Sequence, residues 1–110
     1  MNTDVKNNRT KHGSCSLSNA LNMLGSRWKP IIICAMRKRK TRFGHLIAVI
    51  GLSRKVLTEQ LRQLEEDGIV LREQLNESHV EYSLTPKGLE LVPILNQLEA
   101  WDRRHLYQTA

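Results

Sequence analysis

Apolar positions along this chain follow two different periods. From Leu17 to Leu24 they fall at Leu17, Ala20, Leu21 and Leu24, steps that line one face of a short helix, with Ser16 able to cap it and Gly25 to end it. A second helix is predicted from about Arg27 to Arg37, with Ser26 as its cap and Pro30 in the first turn, where a missing N–H costs little. Its stretch Ile31 to Met36 is too apolar for an exposed helix and reads as the central core helix, with Cys34 inside it. "RKRKT" reads as a loop whose Thr41 caps a short helix from Arg42 to about Ala48, with Phe43, Leu46 and Ile47 as apolar positions. "IGLS" is a turn, and Ser53 caps the next helix, which ends near Asp67 with Gly68 able to take the left-handed conformation.

Two helices separated by a four-residue glycine turn resemble a helix-turn-helix. After them the period shortens to two. Val80, Tyr82 and Leu84 alternate with Glu81 and Ser83 as a strand, Ile69 to Gln74 is its partner, and "LNESH" is the hairpin tip. Thr85 and Pro86 then open a closing helix as cap and first helical residue. It carries Leu89, Val92, Leu95, Leu98 and Trp101, and Pro93 is expected to bend or interrupt it. The fold class is therefore mainly α with a small β-hairpin.

On the long helix, Val56, Leu57, Leu61 and Leu64 cluster on one side and are expected to pack on Ile31–Ile33, Leu46 and the Tyr82 strand. The other side holds Lys55, Thr58, Glu59 and Arg62, with Arg54 beside them. Arg can pair with guanine, Lys with phosphate or guanine, and Thr with a thymine methyl. The cations come first and Glu65, Glu66 and Asp67 last, the reverse of what the helix dipole favours, an order that makes sense if the helix start meets phosphates.

The whole-chain charge points the same way. Net charge is +6, but its distribution is lopsided: between Asp4 and Glu59 lie twelve Lys or Arg and no acid, and from Glu59 onward five cations face ten acids. Such a split suggests that one part of the chain meets a polyanion. The 110 residues suit one small domain with a modest core, for which pairing is a common source of stability. No apolar run approaches the roughly 18 residues of a membrane span. Residues 1–14 are polar, lack the apolar centre of a signal peptide and read as a flexible basic arm. The cytoplasm is then the expected compartment, with Cys15 and Cys34 as reduced thiols.

Cys15 with "ALNMLGSRWK", "TRFGHL", "LSRKVLTEQLRQLEEDGIV" and "VEYSLTPKGLELVPILNQLEAW" together resemble the HxlR-type winged helix-turn-helix regulators over nearly the whole folded chain. The resemblance implies a bacterial homodimeric transcription factor binding an inverted-repeat operator. It implies a domain over residues 15–107, with a recognition helix at about 53–67 entering the major groove and a wing at about 69–84. The DNA-facing set is then Arg42, Ser53, Arg54, Lys55, Thr58, Arg62 and Arg72. Dimer contacts come from the first and last helices, through Leu17, Leu21, Leu95, Leu98 and Trp101. Family members often respond to electrophiles or oxidants through a cysteine just before the first helix, the position of Cys15. Three features depart from the family pattern. Arg54 stands where a proline is common, Pro30 replaces an apolar residue, and the wing is acidic, with Glu73, Glu77 and Glu81 against Arg72 and His79.

Cys15 sits at a helix N-terminus in a stretch free of acids, which favours a reactive thiolate; its alternative role is an inert cysteine at the dimer contact. Cys34 reads as a small core residue. His12 and Cys15 are near in sequence, but two ligands do not make a metal site. His45, His79 and His105 are scattered, and no nucleophile–base arrangement supports catalysis, so neither enzyme activity nor a cofactor is expected. Trp28 reads as core, and Trp101 as a dimer anchor or core residue. The expected partners are double-stranded DNA and a second copy of the chain; the sequence names no small-molecule effector. A winged helix used only to bind protein is the alternative, which would not need half a chain stripped of acids. An RNA-binding or enzymatic domain lacks stacking aromatics and a catalytic set.

Overall fold

The computed structural model describes residues 16–106, so Cys15 and the basic arm lie outside the described residues. The chain forms α1 (Ser16–Leu24), α2 (Trp28–Ala35), β1 (Thr41–Arg42), α3 (Phe43–Ile50), α4 (Arg54–Glu66), β2 (Val70–Asn76), β3 (His79–Leu84), α5 (Pro86–Leu89) and α6 (Leu91–Leu106). Helices α3 and α4 with the turn between them are the helix-turn-helix, and β2 and β3 are the wing. Gly51 makes that turn at φ 83°, a conformation that glycine takes without the Cβ penalty.

The core forms where α2, α3 and α4 meet the base of the wing. Ile32, Ile33, Leu46, Leu57, Leu61, Leu64 and Ile69 are fully enclosed there, with Met36, Val70, Tyr82 and Leu95 around them. The buried stripe of α4 is narrower than its apolar pattern. Val56 is 37% exposed, because α4 meets its neighbours only along the Leu57, Leu61 and Leu64 line. Ile31 likewise turns outward, and only Ile32 and Ile33 of that triplet enter the core. Cys34 is half-buried against the core rather than inside it.

The sheet has three strands, ordered β1-β3-β2 and antiparallel throughout. Thr41 does not cap a helix. It pairs with Tyr82 as part of β1, its side chain is buried, and its hydroxyl donates to the Arg39 carbonyl at 3.2 Å. The hairpin is also longer than its pattern suggests: the strands run to Asn76 and His79, leaving Glu77 and Ser78 at the tip. The register shifts by one residue between Gln74 and Asn76, before the ladder closes at the Asn76–His79 pair.

Three of the expected caps form; Ser16 is instead the first residue of α1. The Ser26 hydroxyl accepts from the Trp28 and Lys29 N–H groups, Ser53 Oγ from Val56 N–H, and Thr85 Oγ1 from Gly88 N–H. The closing helix breaks at Glu90, not at Pro93, which sits in the first turn of α6. A continuous helix would aim the Pro93 ring at the Leu89 carbonyl and leave that carbonyl without its donor, so the interruption falls one turn upstream.

Candidate nucleic-acid interface

Helix α4 presents two different polar faces. One turns toward the wing. There Arg42, Phe43, Arg54, Thr58, Arg72 and Glu77 line a groove of about 480 Å³ between α4 and the hairpin. Three separate elements supply its cations: Arg42 ends β1, Arg54 opens α4 and Arg72 stands on β2. The Arg54 guanidinium lies over the Phe43 ring at 4.9 Å, a cation–π contact that holds it at the groove's edge while leaving its donors free to face outward. Arg54 is thus seated on a shelf from the preceding helix.

Strand register sorts the acidic wing. Thr41, Tyr82 and Arg72 share one row of the sheet, and Arg42, Glu81 and Glu73 the next, so Arg72 and Tyr82 lie on the groove side and Glu73 and Glu81 on the other; Arg42, in the row of the two acids, lines the groove where β1 ends and passes into α3. Glu73 accepts from Lys40 at 3.2 Å, and Glu81 pairs with His79 at 2.9 Å. Of the three wing acids only Glu77 at the tip lines the groove. The basic loop before β1 keeps Arg37, Lys38 and Arg39 exposed and extends the cationic surface past Arg42. Lys29, counted among the cations of the basic half, is instead buried at 4% exposure.

The second face of α4 points away from the protein and carries Lys55, Glu59, Arg62 and Glu66, all exposed. The sequence reading sets Arg62 among the cations available to DNA, but its guanidinium is already engaged. Nε donates to Glu59 Oε1 at 3.1 Å, Nη2 donates to Glu59 Oε2, and Nη1 donates to Glu66 Oε2. Gln63 Nε2 donates to Glu59 Oε2 at 2.9 Å. The Arg62 hydrogen bonds, then that of Gln63, lower the pKa of the Glu59 carboxyl from 4.5 to about 2, and Glu59 first, then Glu66, raise that of Arg62. The i,i+3 and i,i+4 spacing of these residues was the available signal for this cluster. Ser53 and Lys55 are exposed at the start of the helix, outside the groove lining.

The expected dimer residues divide. Leu17 and Leu21 of α1 and Leu98 and Trp101 of α6 are exposed, at 66%, 59%, 60% and 52%. Leu95 is 7% exposed and belongs to the chain's own core, at the floor of an apolar hollow between α2 and α6 that Pro30, Ile31, Cys34, Leu98 and Trp101 also line. Trp28 packs against the core, with the Arg27 guanidinium over its ring at 4.6 Å. Among the described residues no group of three or more His, Cys, Asp or Glu is placed to hold a metal, and no helix is long and apolar enough to cross a membrane.

A family model described as HxlR-like helix-turn-helix matches residues 23–110. An uncharacterized HTH-type transcriptional regulator of Methanothermobacter thermautotrophicus is 36% identical over 94 residues, covering 83% of this chain and 72% of its own. Among solved structures, the redox regulator HypR in its oxidized form superposes with a TM-score of 0.76 at 38% identity, over 82% of this chain and 96% of its own. The quinone-bound YodB from Bacillus subtilis does so with a TM-score of 0.72 at 34% identity, over 82% and 98%.

Proposed function

The chain belongs to the HxlR-like helix-turn-helix family, and from that premise we propose that it is a transcriptional regulator that binds an inverted-repeat operator as a homodimer. One observation carries the DNA contact: Arg42, Arg54 and Arg72 arrive from three different elements at one groove beside the recognition helix, with Thr58 among them and the wing's other acids turned away. In this reading α4 enters the major groove, Ser53 and Lys55 meet the backbone at its start, and the wing arginine follows the adjacent phosphates.

The exposed apolar residues of α1 and α6 form the dimer contact. Two-fold symmetry then sets half-sites about one helical turn apart, roughly 34 Å. Cys15 carries a response to oxidants or electrophiles, a reading supported by the likeness to a redox regulator and to a quinone-bound one. A regulator of this kind works in the cytoplasm.

The test is binding to duplex DNA selected from a randomised library, across a salt series. Binding that tightens as salt falls, and loses about one unit of log–log slope on Arg54→Ala, Arg42→Ala or Arg72→Ala, supports the interface. A monomer in sedimentation at micromolar concentration that still holds a single half-site tightly overturns the dimer. For Cys15, wild type that releases DNA under diamide while Cys15→Ser retains it supports the switch; equal behaviour of the two removes it.

A further inference from the structure

We propose that Glu59 is a specificity-determining residue that reads a cytosine in each half-site, and that Arg62 is the positioning residue that aims its carboxylate. The inference rests on the DNA-binding reading above and concerns what the outward face of α4 recognises.

Glu59 stands in the second turn of the recognition helix, nearly opposite the buried line of Leu57, Leu61 and Leu64, and its side chain is half exposed. An acid in that place faces the phosphate-rich surface that the neighbouring arginines attract. As a mere surface ion-pair partner it would contribute little to stability and would weaken attraction to DNA. The surroundings show a more specific arrangement. Arg62 grips both carboxylate oxygens with two donors, Gln63 adds a third bond to Oε2, and Arg62 is itself anchored at its far end by Glu66. A glutamate side chain normally turns freely about several bonds. Here its orientation is set before any partner arrives, which removes part of the ordering cost of binding. Oε1 accepts only the Arg62 Nε bond among the described residues, so it retains acceptor capacity for one more donor.

The chemistry of that donor is restricted. An ionised carboxylate only accepts. In the major groove the base edges offer donors only at cytosine N4 and adenine N6, and guanine and thymine present acceptors that repel it. Adenine sets its N7 acceptor beside N6, whereas cytosine has no acceptor beside N4 on that edge. Cytosine is therefore the base that the carboxylate attracts without an adjoining penalty; guanine and thymine are discriminated against by repulsion as well as by a missing bond, and adenine by the N7 acceptor beside its donor. Arg62, with its charge balanced by Glu59 and Glu66, acts through the carboxylate rather than on a phosphate.

The experiment is selection of duplex DNA from a randomised library with the full chain, in parallel for wild type, Glu59→Gln and Arg62→Met. Wild type is expected to enrich a cytosine at one position of each half-site. Glu59→Gln is expected to lose that preference by about tenfold, moving toward adenine, which a glutamine amide pairs through N6 and N7. Glu59 is exposed, so Glu59→Gln is expected to melt at close to the wild-type temperature. Arg62→Met is expected to flatten preference at that same position while the salt slope stays unchanged. A phosphate-contacting Arg62 gives the opposite result, a smaller slope with the base preference intact, and overturns the positioning role. If wild type and Glu59→Gln enrich the same base at every position, the reading of cytosine by Glu59 is wrong while DNA binding stands. If wild type enriches no sequence, the DNA-binding reading falls and this inference with it.

Discussion

The Ser26 hydroxyl donates to Gln60 Oε1 at 2.7 Å, joining the junction between α1 and α2 to the middle of the recognition helix. The same oxygen accepts from the Trp28 and Lys29 N–H groups, so one side chain caps α2 and fixes it against α4. At the other end of α4, Thr85 Oγ1 donates to the Gly68 carbonyl at 2.6 Å and Lys87 Nζ to the Asp67 carbonyl at 2.8 Å. The recognition helix is thus tied at its middle to the segment after α1 and at its end to the segment before α6. Those are the two helices that carry the exposed apolar residues, so a shift in either has a direct mechanical route to α4.

Ser26→Ala removes the cap of α2 and leaves Gln60 without its donor. A loss of about 0.5–2 kcal/mol is expected, the usual range for a capping serine. Urea unfolding measures it; a midpoint identical to wild type would show that water replaces both bonds at no cost.

Leu61→Ala should cost about 2–5 kcal/mol, because Leu61 is 1% exposed at the centre of the core. Lys55→Ala, on the exposed face of the same helix, should leave the unfolding midpoint within experimental error and weaken DNA binding. The reverse pattern would mean that the faces of α4 are wrongly assigned.

Gly88→Ala should destabilise the fold. Gly88 is buried, and a Cβ there would run into the backbone carbonyl of Ile69, which cannot turn aside because it accepts from the Thr85 N–H at 3.0 Å. Overpacking of this kind costs about 1–3 kcal/mol, more than the alanine's gain in helix propensity. A differential-scanning melt checks the direction, and an unchanged or raised Tm would refute the close approach.

The Glu59–Arg62 pair sets a pH dependence of known sign. The folded carboxyl titrates at about 2, below its ordinary value of 4.5, so what the pair contributes is fully present above 4.5 and is lost as pH falls toward 2. Carboxyl chemical shifts in an NMR titration should show Glu59 still ionised at pH 3. Arg62→Met should return its midpoint toward the ordinary range, since Arg62 is the largest cause of the shift. An unchanged midpoint in that variant would place the cause elsewhere.

What the sequence determined by itself is the set of features that close over a few residues. The helix-turn-helix, the Ser53 and Thr85 caps and the left-handed Gly68 at the end of α4 all depend on neighbours within one turn, so composition and spacing suffice to specify them. The charge division was legible because a sum of charges along the chain does not depend on the fold. What only the tertiary structure decided are relations between residues far apart in the chain. The two residues of β1 are too short to show a period, and they become a strand because β3 offers an edge some forty residues later. Val56 and Leu95 look alike as apolar helix positions; one is exposed and the other is core because of what packs against each, which periodicity does not contain. The sequence shows that the wing is acidic, and only the register places Glu73 and Glu81 on the face away from the groove. The engagement of Arg62 lay within reach of spacing alone, yet Lys55 and Glu59 share an equally suitable spacing. Which partner Glu59 takes is settled by side-chain geometry on the folded helix, where the planar guanidinium matches both carboxylate oxygens at once and an ammonium does not.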